Sequence, residues 1–151
     1  DPAAFTEGLL FCGGALYEST GKEGASDIRR VTLDDGKVVA RARLSPDLFG
    51  EGIACWQKSL ASVTWKTGIG FRWALPALTH TGKPLRYTGE GWGMTSDATS
   101  MAVCLGIGGR AKTRRSFIMP SSESMRATIS FIFFSMTGRS SSVKGWLRAK
   151  S

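Results

Sequence analysis

Apolar and polar residues alternate in short runs over the first hundred positions, and glycines punctuate the runs. "ASDIRRVTL", an Asp35-Gly36 pair and "KVVARARL" predict two β-strands joined by a tight turn, since Asp-Gly readily adopts the positive φ that such turns require. "LLFCGGALYEST" and "SLASVTWKTGIGFRWAL" predict further short strands broken at glycines. The 3.6-residue recurrence of an amphipathic helix is poor throughout, so the expected class is all-β.

The pattern also repeats. "FTEGLLFCGGALYESTGKEG" starts at Phe5 and "FGEGIACWQKSLASVTWKTG" at Phe49, and the two align without a gap at an offset of 44. Phe5 meets Phe49, Glu7 meets Glu51, Gly8 meets Gly52, and further along Thr20 meets Thr64 and Gly24 meets Gly68. A weaker third copy places Trp92-Gly93-Met94 where Glu7-Gly8-Leu9 and Glu51-Gly52-Ile53 stand. Units of about 40 to 50 residues built from several short strands predict β-propeller blades, each burying its faces against its neighbours. A solenoid is the competing arrangement, and the tight hairpins favour blades. A position that recurs in every blade recurs around the central channel, so Glu7, Glu51 and Trp92 are expected to ring one site. That repetition weighs against reading the two glutamates as solvated surface acids.

Composition agrees with a turn-rich β fold: 151 residues with 19 glycines and 21% charged residues. No run of about 18 or more apolar residues exists to span a membrane. No basic-then-apolar leader precedes the Asp1-Pro2 start, so any such leader would lie outside this sequence. The net charge of +8 is uneven. Residues 1–100 carry 11 Lys and Arg against 11 Asp and Glu, whereas residues 101–151 carry 9 against the single acid Glu123.

The division is therefore expected near residue 101: a partial propeller over 1–101 and a basic, Ser/Arg-rich, irregular segment over 102–151. Only "ATISFIFFSM" in that segment suggests a strand. A polyanion-binding tail is one account of it. Translation out of frame is the preferred one, because nothing there continues the repeat.

Cys12, Cys55 and Cys104 are widely spaced, and with His80 as the one histidine they make no zinc site. They read first as small buried hydrophobes. Cys12 and Cys55 occupy neighbouring positions of adjacent units, which leaves their pairing open. Trp56 and Trp73 read as packing residues, and His80 in "ALTHTGK" as an exposed turn histidine.

"DPAAFTEGLL", "LYESTGKEGASDIRRVTLDDGKVV", "FGEGIA", "VTWKTGIGF" and "YTGEGWGMTSD" together resemble the plant-type and bacterial glutaminyl cyclases, or glutamine cyclotransferases. The resemblance runs from Asp1 to about Met101. It implies a five-bladed β-propeller, of which this chain would hold about two blades and part of a third. It further implies a glutaminyl-peptide cyclotransferase that turns the N-terminal glutamine of a peptide into pyroglutamate and releases ammonia. Such an enzyme uses no metal and no organic cofactor, and is secreted or periplasmic. Its partners are peptides or proteins with N-terminal glutamine, not nucleic acid or membrane.

Carried over by position, Glu51 matches the family's active-site glutamate, which holds the amine and takes its proton. Glu7 matches a Gln-or-Glu position in the same pocket. Phe5 and Phe49 match flanking aromatics, and Trp65 and Trp92 match pocket tryptophans. The family's later asparagine, tryptophan and lysine have no counterpart here, and Trp146 lacks their context. The chain is thus expected to be truncated and inactive. The alternatives are a non-catalytic propeller fragment that binds peptides, and a nucleic-acid binder using the "RAKTRRS" tail. The second is disfavoured because the tail lacks a stacking platform.

Overall fold

A computed structural model describes residues 1, 3–97 and 100–106, and the backbone of a strand at 115–120. "ATISFIFFSM", Trp146 and residues 110–114 of the basic run lie outside the described residues. The described residues contain strands and turns and no helix.

The strands form three antiparallel sheets in chain order. β1 (Thr6–Cys12), β2 (Ala15–Thr20), β3 (Asp27–Val31) and β4 (Val38–Arg43) make the first. β5 (Gly50–Trp56), β6 (Ser59–Thr64), β7 (Ile69–Ala74) and β8 (Thr79–Arg86) make the second. β9 (Glu90–Ser96), β10 (Ser100–Gly106) and β11 (Arg115–Pro120) make the third. Each sheet is a plain meander, and among the first strands β5 lies against both β1 and β9. That is the blade arrangement the repeat predicts.

Local chemistry explains the hairpins. Gly13 and Gly14, at φ of 56° and 82°, form the two-residue loop between paired Cys12 and Ala15, a conformation that side chains with a Cβ resist. The Asp35-Gly36 connection is wider than the tight turn expected. The ladder closes at Val31 and Val38, and Thr32 N–H bonds the Lys37 carbonyl at 2.9 Å. The Thr32 hydroxyl and the Asp35 carboxylate hold this loop from within, the carboxylate accepting from Lys37 N–H at 3.1 Å.

The core lies between sheets. Tyr17 and Ile28 of the first sheet pack against Ile53, Leu60 and Trp73 of the second, with Leu44 and Leu48 of the connection sealing the contact. Trp56 and Ala61 meet Met101, and Val63 meets Val103 and Leu105, between the second and third. Each such side chain, fully buried, contributes about 1.5–3 kcal/mol. Trp56 and Trp73 are core residues, and Trp73 Nε1 donates to Ser62 Oγ at 2.9 Å. His80 is exposed as expected, but it lies in β8 opposite Trp73 and not in a turn. The edge position of β8 explains why a strand tolerates Gly82 and Pro84.

The structure departs from the sequence reading at residue 101. β10 runs straight through that boundary, and β11 falls within the stretch expected to be irregular. In "SMAVCLG" the buried residues Met101, Val103 and Leu105 alternate with Ala102 and Cys104, which are only half-buried. All five are apolar, so the period of two is invisible in the sequence.

Cys12 and Cys55 form a disulfide across the first two sheets, with a Cα–Cα distance of 5.6 Å. This corrects the first reading of both as plain hydrophobes. Cys104 is a free thiol, half-buried in β10.

Candidate functional site

The recurring Glu7-Gly8, Glu51-Gly52 and Trp92-Gly93 pairs all fall at breaks in strand register. Thr6 faces Thr20 and Gly8 faces Ser19, which leaves Glu7 as the extra residue. Gly50 faces Thr64 and Ile53 faces Ser62, so Glu51 and Gly52 together stand opposite Val63. Gly91 faces Leu105 and Met94 faces Val103, so Trp92 and Gly93 stand opposite Cys104. Three β-bulges at the starts of the three innermost strands thus re-aim the three recurring side chains. The glycines have a separate cause. A Cβ on Gly52 would lie 2.5 Å from the Trp92 carbonyl oxygen and 2.6 Å from Met94 N. On Gly8 it would lie 2.9 Å from the Ile53 side chain. Adjacent inner strands approach there too closely for a side chain.

Glu51 is 3% exposed and hydrogen-bonds Glu7. Burial, then the Glu7 charge, then that hydrogen bond push its pKa up to about 8 from 4.5. At neutral pH Glu51 therefore holds its proton, because burial and the neighbouring charge both disfavour its ionised form. Glu7 is itself half-buried beside Gly21, where an added Cβ would lie 2.6 Å from Glu7 Cγ and 2.3 Å from the Phe49 ring.

The aromatic residues form a connected wall. Phe49 and Trp65 meet edge to face with centroids 5.7 Å apart, and Trp65 and Trp92 do so at 6.0 Å. Trp65 N–H bonds the Phe49 carbonyl at 3.0 Å, and Gly91 N–H bonds the Trp65 carbonyl at 2.9 Å. The Trp65 Nε1–H is buried without a partner among the described residues, so an acceptor brought by a ligand would satisfy a donor that they leave open. Lys66 Nζ sits 3.7 Å from the centre of the Trp65 ring. Phe5 is 62% exposed and shares a cleft of about 350 Å³ with Phe49, Gly21 and Lys22. A second cleft, of about 320 Å³, lies against Phe49 and Trp65. Neither is lined by Glu7 or Glu51, whose contact lies between β1 and β5.

The structure therefore brings Glu7 to Glu51, links Phe49, Trp65 and Trp92, and sets Phe5 beside Phe49. Sequence reasoning missed Gly21, whose bare Cα admits both Glu7 and Phe49. It also missed Tyr87. The Tyr87 hydroxyl accepts Thr64 N–H at 2.9 Å and lies against the Thr64 and Ile69 carbonyls, bracing the segment that leads into Trp65. Burial foremost, with a contribution from the Glu51 charge, raises its pKa. Its position in "YTGEGWGM", five residues ahead of Trp92, was the available signal. Among the described residues no group of three or more His, Cys, Asp or Glu side chains converges as metal ligands would.

Comparisons with known proteins agree on one family. Residues 1–109 match the family model described as glutamine cyclotransferase. A curated glutaminyl-peptide cyclotransferase of Arabidopsis thaliana is 39% identical over 103 residues, 67% of this chain and 32% of that protein. The crystal structure of Myxococcus xanthus glutaminyl cyclase superposes with a TM-score of 0.64 at 27% identity, covering 87% of this chain and 49% of the other. The β-propeller domain of Myceliophteria thermophila Cps50 (Swd1) superposes at 0.52 with 12% identity, a likeness of fold alone. The chain thus spans about a third of the curated relative and about half of the solved one.

Proposed function

The chain belongs to the glutamine cyclotransferase family, and on that premise we propose that it carries the amine-handling part of a glutaminyl-peptide cyclotransferase site. The observation that carries this reading is the buried, hydrogen-bonded Glu7–Glu51 pair set by matching bulges in adjacent blades.

In the proposed reaction the α-amine of an N-terminal glutamine attacks its own side-chain amide carbon. A carbon–nitrogen bond closes the five-membered lactam, and the bond to the amide nitrogen breaks to release ammonia. One proton must leave the attacking amine and one must reach the departing nitrogen. Glu51, with its pKa near 8, matches a free α-amine of about the same pKa, so the proton moves between them with little energetic penalty. The charge of Glu7 and its hydrogen bond to Glu51 help to hold that value up. Phe49, Trp65 and Trp92 restrict the flexible glutamine to ring-closing poses, which lowers the entropic barrier. Phe5 extends this wall toward solvent.

The resemblance places the asparagine, further tryptophan and lysine in a part of the family fold that the matched stretch does not supply. We therefore propose that residues 1–106 bind the amine, and that turnover requires the oxyanion donors as well. A secreted or periplasmic setting fits the Cys12–Cys55 disulfide, since such bonds persist in oxidising compartments. The test is incubation with a glutamine-initiated peptide, reading ammonia release and the matching mass loss. Release that disappears in Glu51→Gln supports cyclisation. Binding without release that is lost in Glu51→Gln fits amine capture by a stretch that lacks the oxyanion donors, and binding that Glu51→Gln leaves unchanged supports a non-catalytic binding fragment instead.

A further inference from the structure

The cleft of about 320 Å³ is bordered by Phe49 and Trp65 of the aromatic wall and by neither member of the carboxyl pair. Three connections from two blades border it. The connection between β2 and β3 supplies Glu23, the one between β4 and β5 supplies Asp47 and Phe49, and the one between β6 and β7 supplies Trp65, Lys66 and Thr67. Phe49 immediately precedes the strand that carries Glu51, so the cleft opens at the same end of the blades as the carboxyl pair.

Its charges are not balanced among themselves. Glu23 and Asp47 are exposed, and neither takes part in an ion pair among the described residues. The Ser45 hydroxyl holds the Asp47 carboxyl below its ordinary range, so it stays ionised. The one cation in the lining, Lys66, rests its ammonium on the Trp65 ring, away from a carboxylate partner. Lys66 covers the Trp65 ring, and the cleft thus offers the Phe49 ring and two carboxylates without an ion-pair partner among the described residues, the complement of a long cationic side chain whose methylenes lie on a ring.

We propose that this cleft is the subsite for the residue that follows the N-terminal glutamine, and that it selects lysine or arginine there. The proposal rests on the cyclisation reading for its orientation. With the glutamine amine on Glu51 and its side chain against Phe49 and Trp65, the next residue falls beside rings that also line the cleft.

The experiment compares tripeptides that begin with glutamine and carry lysine, alanine or glutamate second. Both binding, by calorimetry, and ammonia release are measured. Lysine is expected to be favoured over glutamate by about three- to tenfold at low salt, a range typical of exposed charges. The preference should shrink in 1 M salt, where the screening length falls to about 3 Å. The double variant Glu23→Lys with Asp47→Lys should abolish or invert the lysine-to-glutamate ratio, read within each variant. Equal binding of all three peptides, or a ratio that the double variant leaves in place, overturns the subsite even where turnover is normal. A charge-dependent binding preference without ammonia release keeps the subsite and removes cyclisation.

Discussion

Cys12 and Cys55 tie together the same two strands that present Glu7 and Glu51, at the opposite ends of those strands. The covalent link joins the first two blades, and the carboxyl pair depends on how those blades are registered. Closing a loop over a sequence separation of 43 removes about 4 kcal/mol of unfolded-chain entropy by the loop-closure estimate. Replacing both cysteines with alanine is therefore expected to lower stability by ~3–4 kcal/mol. Denaturant unfolding with and without reductant checks it, and an unchanged midpoint would remove the disulfide from the stability of this fold.

In a protein that also carries the oxyanion donors, Glu51→Gln should slow ammonia release by about 10²–10⁴-fold, the usual contribution of a positioned proton acceptor. It should also change the pH dependence of stability. The unfolded chain releases the Glu51 proton near 4.5 and the folded chain near 8, so the folded state holds more protons between those values. Stability from this group is complete below 4.5 and declines as pH rises toward 8. The melting temperature of Glu51→Gln relative to the parent should therefore climb from pH 5 to pH 8. A constant difference across that range would contradict the burial of a protonated Glu51.

Glu7→Gln removes the neighbouring negative charge while keeping a hydrogen-bonding partner of the same length. Glu51 should then lose its proton at lower pH, but still above 4.5, because burial is the larger cause of its shift. In a protein that also carries the oxyanion donors, the acidic limb of the kcat/KM profile is expected to move down by a fraction of a unit to about one unit. A limb that stays in place would show that the Glu7 charge does not act on Glu51.

Gly52→Ala and Gly93→Ala separate close approach from general glycine effects. The alanine methyl at 52 would press within 2.5–2.8 Å of the Trp92–Met94 backbone, and at 93 it would meet only Cys104 Cβ at 3.9 Å. The first should cost about 2 kcal/mol or more by forcing blades two and three apart, and the second less than about 1 kcal/mol. Chemical denaturation of the two variants reads this directly. Equal losses would mean that the glycine at 52 serves something other than strand approach.

The sequence alone determined the class, the repeat and which positions stand at equivalent points of it. Alternation with glycine breaks marked the strands, and the offset of 44 between Glu7 and Glu51 placed the glutamates at equivalent points of neighbouring units. A residue's own type and its repeat position are local facts, and they survive without coordinates. Sequence could not see β10 past residue 101, because a fully apolar strand hides its period. It could not choose between free and paired Cys12 and Cys55, because pairing depends on a 5.6 Å approach of strands far apart in the chain. Gly21 and Tyr87 act through neighbours supplied by other strands, so their own surroundings in the sequence carry no mark of them. Above all, the raised pKa of Glu51 belongs to no residue alone. It arises where stacking brings two bulges together, excludes water from Glu51 and sets the Glu7 charge beside it.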